Sequence, residues 1–270
     1  MTDTPETAAG RRRHRVREEA LADSMRIARR LLVEEGPGAV TVRAVAREMG
    51  LTAPGLYRYY AGHRELLQAL VSHLYEELAA ALAAARERRP AGEPGQRLRE
   101  VCRELRRWAL AHRQEFALLF AKPVADADTA PGAAAHDPSW RFGAVILDLM
   151  VQLWRQGGVQ APADLDPAWT VQLEEVREHL GGEPVPLEVI YVFVSSWARL
   201  YGAVAVEVFG HLDFALTDAE PLFERTVGEI LTLLGDPAAV ATEAEAAELL
   251  PPVRYERLRW ALRARERGRP

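Results

Sequence analysis

The stretch 41–67 constrains the fold of this chain more than any other part of the sequence. Four apolar residues at positions i, i+3, i+4 and i+7 predict one face of a short helix, and these are Val42, Val45, Ala46 and Met49. Thr41 is expected to cap the start of that helix, because its hydroxyl can accept from a free backbone N–H. Gly50 stands where a helix end favours positive φ, and Leu51 after it is expected to pack inward.

A second short helix is predicted from Ala53 to about Tyr60. Thr52 is expected to cap this helix. Leu56 and Tyr60, four residues apart, are expected to form its buried face, and Gly62 to end it. Two short helices joined by a tight turn that contains glycine predict a helix-turn-helix.

The predicted helix-turn-helix is a candidate DNA-binding unit. In such a unit the second helix enters the major groove, and its N-terminal residues meet the base edges. Here those residues are small or hydroxylated, and a polar set able to reach phosphates and bases follows them. The candidate DNA contacts are Arg15, Thr41, Arg43, Thr52, Ala53, Pro54, Gly55, Tyr57, Arg58, Tyr59 and His63. From the pattern alone, a pair of amphipathic helices without DNA-binding function is an open alternative.

Residues 16–75 resemble the N-terminal DNA-binding domain of the TetR family of repressors. The matching positions are Thr41, Ala46, Gly50, Gly55, Leu56, Tyr57, Tyr60, Leu66 and Leu67. The chain departs from the family pattern at three positions. His63 stands where the family usually has a phosphate-contacting lysine, Tyr59 where histidine is frequent, and Tyr60 where phenylalanine is usual.

The resemblance implies an all-α fold, with an N-terminal three-helix helix-turn-helix domain and a larger helical ligand-binding and dimerisation domain. It also implies a homodimeric repressor that binds a near-palindromic double-stranded operator, is released by a small, mostly apolar effector, and needs no cofactor. We expect a disordered arm over 1–12, the helix-turn-helix domain over 13–75, the regulatory and dimerisation domain over 76–235, and a C-terminal extension over 236–270.

The distribution of charge is consistent with one basic end. The chain carries a net charge of −5, yet residues 11–64 contain 12 arginines and only 6 acidic residues. This asymmetry is expected when one end meets phosphate and the rest does not. The arginines of 11–17 could follow the DNA backbone or form a solvated tail. Because Lys122 is the only lysine, the preference for arginine does not by itself indicate DNA recognition.

Two apolar helices near the C-terminus, predicted over 186–212 and 219–234, are the candidate dimer interface. The first is apolar nearly all round, so it must be buried on more than one face. Paired with their two-fold mates, the two helices would form a four-helix bundle. The alternative is that both belong to the core of one protomer. The run 197–210 also resembles a Trp-His-Gly subtype of the family, with Tyr201-Gly202 in place of His-Gly.

Aromatic residues on the predicted helices are the candidates for an effector site, because small-molecule sites are mostly apolar and aromatic. They are Trp108, Phe116, Phe120, Trp140, Trp154, Trp197 and Tyr201. Core packing is the alternative interpretation of each of them. The loop predicted over 122–138 is long enough to be functional.

The sequence shows no arrangement typical of an enzyme. The seven histidines have no metal-ligand spacing, and no phosphate loop or nucleophile motif is present. The competing hypothesis is an all-helical enzyme or small-molecule carrier with an incidental helix-turn-helix. Cys102, the single cysteine, is expected in the core, with a redox sensor as the alternative. A single cysteine fits a reducing compartment, and the polar N-terminus shows no signal peptide. No apolar run is long enough to span a bilayer, so we expect a cytoplasmic protein with no membrane contact.

Overall fold

The structure is a computed structural model, and it describes residues 8–90, 92–120, 138–157, 165–179, 185–236 and 239. Every regular element in these residues is helical, so the predicted all-α fold is confirmed. The helices are α1 Ala8–Glu35, α2 Val42–Glu48, α3 Ala53–Tyr57, α4 His63–Arg86, α5 Pro94–Ala111, α6 Arg113–Phe120, α7 Pro138–Gly157, α8 Pro167–His179, α9 Leu187–Val208 and α10 Glu220–Leu233.

The chain divides into two compact units. The N-terminal unit comprises the chain up to Glu77 together with the segment from His112 that contains α6. Its core is formed by α1, α2, α3 and α4, with completely buried leucines at the centre. Leu66, Leu70 and Leu74 are spaced four residues apart on α4 and have no exposed surface. The other fully buried leucines of this unit are Leu31, Leu32 and Leu56.

The C-terminal unit contains α5, α7, α8, α9, α10 and the end of α4. One face of α5 is apolar and buried, with Leu98, Val101 and Leu105 at its centre. The other face carries arginines that pair with acidic residues of the last two helices. Arg103 Nε donates to Glu224 of α10 at 2.7 Å, and Arg106 Nε donates to Glu207 of α9 at 2.8 Å.

Three elements differ in extent from their prediction. α1 begins at Ala8 and so includes residues 8–12, which were expected to belong to the disordered arm, because the alanines that precede the arginines favour helix. α3 ends at Tyr57 rather than near Tyr60, since the chain turns at Arg58. α9 ends at Val208, before the predicted end near Leu212, where Gly210 adopts a φ of +69°. The predicted loop 122–138 and extension 236–270 lie almost wholly outside the described residues.

α9 is the most apolar helix in the described part of the chain. By length and composition alone its 22 residues could cross a membrane, although it carries Glu188, Arg199 and Glu207. Only 33% of its most apolar window is buried within the protomer. A helix of this kind has apolar surface left over after the protomer core is complete.

Candidate nucleic-acid interface and regulatory core

Both ends of α2 are defined by local interactions that the sequence predicts. The hydroxyl of Thr41 accepts from the backbone N–H of Ala44 at 3.1 Å, which confirms it as the N-cap. At the other end Gly50 has a φ of +66° and donates its N–H to the carbonyl of Arg47. The N–H of Leu51 reaches the carbonyl of Ala46 at 2.8 Å. These two bonds form a Schellman motif, which fixes where the helix stops.

The start of α3 departs from prediction in two details. Leu51 is 40% exposed rather than packed inward, because the Schellman turn directs it toward solvent. Thr52 occupies the N-cap position, but its hydroxyl makes no capping bond within the described residues. Its carbonyl instead accepts from the N–H of Gly55 at 2.9 Å. The hydroxyl of Thr52 is therefore exposed and uncommitted to the helix, as a group that meets DNA would need to be.

α3 is anchored through two buried residues. Leu56 has no exposed surface and Tyr60 only 5%, so the predicted inward face is confirmed. The hydroxyl of Tyr60 lies 2.9 Å from that of Ser24 on α1, and Ser24 donates to the carbonyl of Leu21 at 2.7 Å. Burial raises the pKa of Tyr60, only partly offset by the hydrogen bond to Ser24. This Ser24–Tyr60 bond explains how the core accommodates a hydroxyl where the family usually has phenylalanine.

Next to the exposed side of α3, two arginine side chains lie against the ring of Tyr59. Tyr57 is 42% exposed, and Arg58 beside it is also exposed. The guanidinium of Arg58 lies 4.8 Å from the centre of the Tyr59 ring, and that of Arg17 lies 6.0 Å from the same ring. Tyr59 therefore holds a cation of α1 beside a cation of the α3 turn. The sequence did not single out Arg17 as a site residue, because its partner lies 42 residues away.

His63, at the start of α4, is exposed but tethered through one ring nitrogen. Its Nδ1 lies 2.7 Å from the carbonyl oxygen of Val40, so Nδ1 carries the hydrogen and donates. This bond leaves Nε2 as the free end of the ring. The imidazole is thus held in one orientation at the position where the family usually has a phosphate-contacting lysine.

The remaining candidate DNA contacts are spread over α1, α2 and α3. Arg15, Arg43 and Pro54 are exposed, whereas Ala53 and Gly55 are half-buried. A Cβ added at Gly55 would meet the hydroxyl of Thr52 at 3.4 Å, so alanine would also fit here. The structure places the α3 candidates and His63 on consecutive elements of the N-terminal unit.

A cluster of charges joins three helices of the N-terminal unit. Arg29 of α1 donates from Nε to Glu115 of α6 at 2.8 Å and from Nη1 to Glu77 of α4 at 2.6 Å. Its second terminal nitrogen lies 3.2 Å from Nδ1 of His112. The side chain of Glu115 is only 5% exposed. A buried carboxylate of this kind needs its arginine, because an unpaired charge is costly to bury.

The seven candidate effector residues do not form one group. Phe116 and Phe120 belong to the N-terminal unit, where their ring centres lie 4.8 Å apart and Tyr75 packs edge-on against Phe120. Trp197 and Tyr201 stack on α9 in the C-terminal unit, with centres 6.0 Å apart. Trp108 is buried on α5 and Trp154 half-buried on α7. The side chain of Trp140 lies outside the described residues.

A small cavity of about 10 Å³ lies in the C-terminal unit among α5, α7, α9 and α10. Of the predicted effector residues only Trp197 lines it, together with Cys102, Met150 and Ser196. Cys102 is buried, as the core prediction requires, and burial raises its pKa to about 12. Such a thiol carries almost no thiolate at neutral pH, which disfavours the redox-sensor alternative. Within the residues that the structure describes, no cluster of His, Cys, Asp and Glu could hold a metal ion.

Comparison with known proteins agrees with this geometry. The family model for bacterial regulatory proteins of the tetR family matches residues 25–70, and the model for the tetracyclin repressor-like C-terminal domain matches residues 98–230. Together they cover well over half of the chain. Neither match tests the resemblance of 197–210 to the Trp-His-Gly subtype, which stays a prediction.

Relatives and solved structures point the same way. The HTH-type transcriptional regulator Rv1816 of Mycobacterium tuberculosis is 28% identical over 229 residues, which are 84% of this chain and 97% of the relative. The crystal structure of the regulatory protein SCO4313 is 27% identical with a TM-score of 0.63, covering 81% of this chain and 98% of that one. A Rhodococcus protein of unknown function shares the fold at 19% identity and a TM-score of 0.56, over 80% of this chain and 93% of its own. With its helix-turn-helix followed by a larger helical domain, the chain belongs to the TetR family of DNA-binding transcriptional regulators.

Proposed function

We propose that this regulator is a cytoplasmic, non-enzymatic repressor that binds a near-palindromic operator as a homodimer. The observation that supports this best is the exposed edge of α3, fixed in place by Leu56 and Tyr60 in the core. Tyr57 and Arg58 are exposed on that edge, and the anchored ring of His63 follows on α4. Small residues at the start of α3 allow its backbone to approach base edges, while the arginine cations suit phosphates.

The proposed dimer forms through α9 and α10. Two glycines inside these helices support it, because a Cβ added at Gly202 or Gly228 would meet no atom of the described protomer within 4 Å. Glycine in a solvated helix interior is about 1 kcal/mol less favourable than alanine. Glycines that face open space are explained if a helix of a second protomer packs closely over them. Leu222 of α10, 41% exposed, adds apolar surface that such a partner would cover.

Release by an effector requires two conformations with different affinity for it. We propose that a small, mostly apolar molecule binds the helical core of the C-terminal unit and favours a conformation whose recognition helices no longer match the operator. The chain offers a direct covalent route for such a change. His112 alone separates the end of α5 from the start of α6, and Glu115 of α6 is paired with Arg29 of α1. A displacement of α5 therefore pulls on α6 through the backbone.

The DNA-binding proposal is tested by fluorescence anisotropy with a 40-base-pair duplex from the region upstream of the gene, titrated at several salt concentrations. Binding should weaken steeply with salt, since phosphate contacts release counterions. Arg58→Ala should lower the affinity several-fold and reduce the salt slope. Arg107→Ala is the matched control, because Arg107 is exposed on α5 and pairs locally with Glu104. Absence of salt-sensitive binding to any palindromic site in that region would contradict the proposal.

The dimer is tested by placing leucine at the open glycine positions. A Cβ at Gly202 or Gly228 meets open space in the described protomer, so Gly202→Leu and Gly228→Leu should leave its helix content unchanged but convert a dimer into monomers in light scattering. Gly92→Leu, in the connection between α4 and α5, is the control, since its Cβ position is also open. Dimers that persist in both α9 and α10 variants would place the interface elsewhere.

A further inference from the structure

The cavity of the C-terminal unit contains an unsatisfied hydroxyl. Ser196 is 4% exposed, and within the described residues its Oγ has no hydrogen-bond partner. Hydroxyls inside a helix usually bond to the carbonyl four residues earlier. Thr226 and Thr232 of α10 do so, at 2.9 and 3.1 Å. Ser196 makes no such bond and lines the cavity instead.

A buried hydroxyl without a partner is unfavourable by about 1–3 kcal/mol. Water is a poor partner here, because a buried water needs about three hydrogen bonds. Among the described lining side chains only one hydroxyl, that of Ser196, is present, and the other hydrogen-bonding groups are the weakly polar Cys102 thiol and the indole N–H of the half-buried Trp197. The other lining side chains are apolar, including Ile146, Met150 and Leu200. A molecule with an apolar body and one polar group would satisfy this lining better than water does.

The lining also restricts the charge of such a molecule. None of the described side chains that line the cavity is charged. Arg99 and Glu224 are the charged residues that act on Cys102, and they already pair with each other at 3.2 Å. An ion entering the cavity would lose its hydration without a counter-charge. The site therefore selects for a neutral molecule.

The position of Trp197 indicates where a ligand could enter the cavity and favours ligands with an aromatic ring. Trp197 is half-buried, so it reaches from the cavity lining to the surface. The ring of Phe142 packs edge-on against the Trp197 ring, with 5.2 Å between the ring centres. The ring of Tyr201 stacks on it, with 6.0 Å between the centres. At about 10 Å³ the cavity holds at most one water, so a ligand needs Trp197 or the flexible Met150 to move aside. The three rings would then offer an aromatic wall.

We propose that this cavity is the closed state of the effector site, and that it takes a small neutral aromatic molecule whose single hydroxyl group hydrogen-bonds to Ser196. The proposal rests on the regulator function proposed above, because it names the ligand class of that function. It assigns Ser196 as the residue that distinguishes a phenolic ligand from its hydrocarbon counterpart.

The first test compares p-cresol with p-xylene, which differ by a hydroxyl in place of a methyl group, in calorimetric titrations of the full chain. The ratio of the two dissociation constants, p-xylene over p-cresol, should be about tenfold larger for the wild type than for Ser196→Ala, as one hydrogen bond predicts. An equal ratio in the two proteins, or no binding of p-cresol to the wild type, would overturn the proposal.

The second test locates the ligand through the chain's only cysteine, which lines the cavity. A buried thiol reacts with an aromatic disulfide reagent only when the cavity opens, so bound p-cresol should slow labelling of Cys102 several-fold. Labelling at an unchanged rate under saturating p-cresol would show that the ligand binds elsewhere.

The third test examines the empty protein. Ser196→Ala removes an unsatisfied hydroxyl, so it should raise the Tm by a few degrees. A drop of several degrees would show that the hydroxyl is already paired, and would overturn the proposal. Operator binding is measured on the same samples. If both proteins bind DNA equally but show no difference in ligand preference, the inference fails while the regulator function stands. If neither binds DNA, it is the regulator function that fails.

Discussion

The guanidinium of Arg29 donates from Nε to Oε1 of Glu115 across 2.8 Å, joining the first helix of the chain to α6. Glu115 is 5% exposed at its side chain, and Arg29 is 25% exposed. Arg29 also pairs with Glu77 of α4, so one side chain connects three helices. The contact positions α6 against the helix that supports the recognition unit, and its loss should be felt in both stability and DNA binding.

Arg29→Ala should lower the free energy of unfolding by about 3 kcal/mol, because it leaves the buried Glu115 carboxylate without a counter-charge. The measurement is urea unfolding followed by circular dichroism at pH 7. Arg26→Ala is the control, since among the described residues Arg26 makes only an exposed pair with Asp23 on the same helix, and its loss should change stability by less than about 0.5 kcal/mol. Equal effects of the two substitutions would show that the Arg29 network adds little.

The Ser24–Tyr60 bond predicts an asymmetry between its two partners. Ser24→Ala leaves the buried hydroxyl of Tyr60 unpaired and should destabilise the protein by about 1–3 kcal/mol. Tyr60→Phe should be milder, because Ser24 keeps its bond to the carbonyl of Leu21. The double variant should be more stable than Ser24→Ala alone, since no orphaned hydroxyl remains. Thermal unfolding of the three variants measures this, and additive losses would contradict it.

His63→Lys should strengthen operator binding several-fold, because it places a permanent positive charge at the position where the family usually has a phosphate-contacting lysine. The wild-type ring is held by the bond from Nδ1 to the carbonyl of Val40, whereas a lysine amine at this position is free to reach a phosphate. Fluorescence anisotropy with the operator duplex measures the change. His73→Lys adds the same charge at an exposed position of α4 and controls for net charge. An affinity that His63→Lys leaves unchanged, or that His73→Lys raises equally, would exclude a phosphate contact at this position.

Glu224 should contribute to acid unfolding of the C-terminal unit. Burial alone would raise its pKa, but hydrogen bonds and charge from Arg103 and Arg99 outweigh burial and hold the pKa below its ordinary value. Its stabilisation is therefore complete above the pKa of an unfolded glutamate and is lost as pH falls through the lowered value.

Glu224→Gln should accordingly reduce the Tm at pH 7 but flatten the fall in Tm between pH 5 and pH 3. Glu178→Gln, at an exposed position of α8 in the same unit, serves as the control. A slope as steep in Glu224→Gln as in the wild type would assign the acid sensitivity to other carboxylates.

Local chemistry explains what the sequence predicted well. Thr41 and Gly50 act within a few residues of their own positions, so a cap and a positive φ can be inferred from the pattern around them. The burial of Leu56 and Tyr60 follows from helical periodicity in the same way.

The features that the sequence missed depend on partners distant in the chain or on backbone geometry. Arg29 and Glu115 are 86 residues apart, and nothing near either one indicates the pairing. The tether of His63 to Val40 depends on a turn whose path is set by packing. Leu51 was predicted to pack inward from its apolar character, but the turn that ends α2 decides its direction. The seven aromatic residues were grouped by composition, whereas Phe116 and Trp197 belong to different units.

The shortness of α3 has a consequence for any attempt to imitate this protein. A helix of five residues cannot nucleate alone in water, so a synthetic peptide copied from it would be a random coil. Its conformation depends on the apolar core into which Leu56 packs. It also depends on the hydrogen bond between the hydroxyls of Tyr60 and Ser24, which joins it to α1. The recognition helix can therefore be transferred to another protein only together with the helices that support it. Such a transfer would have to include Ser24 as well as the side chains that face the groove.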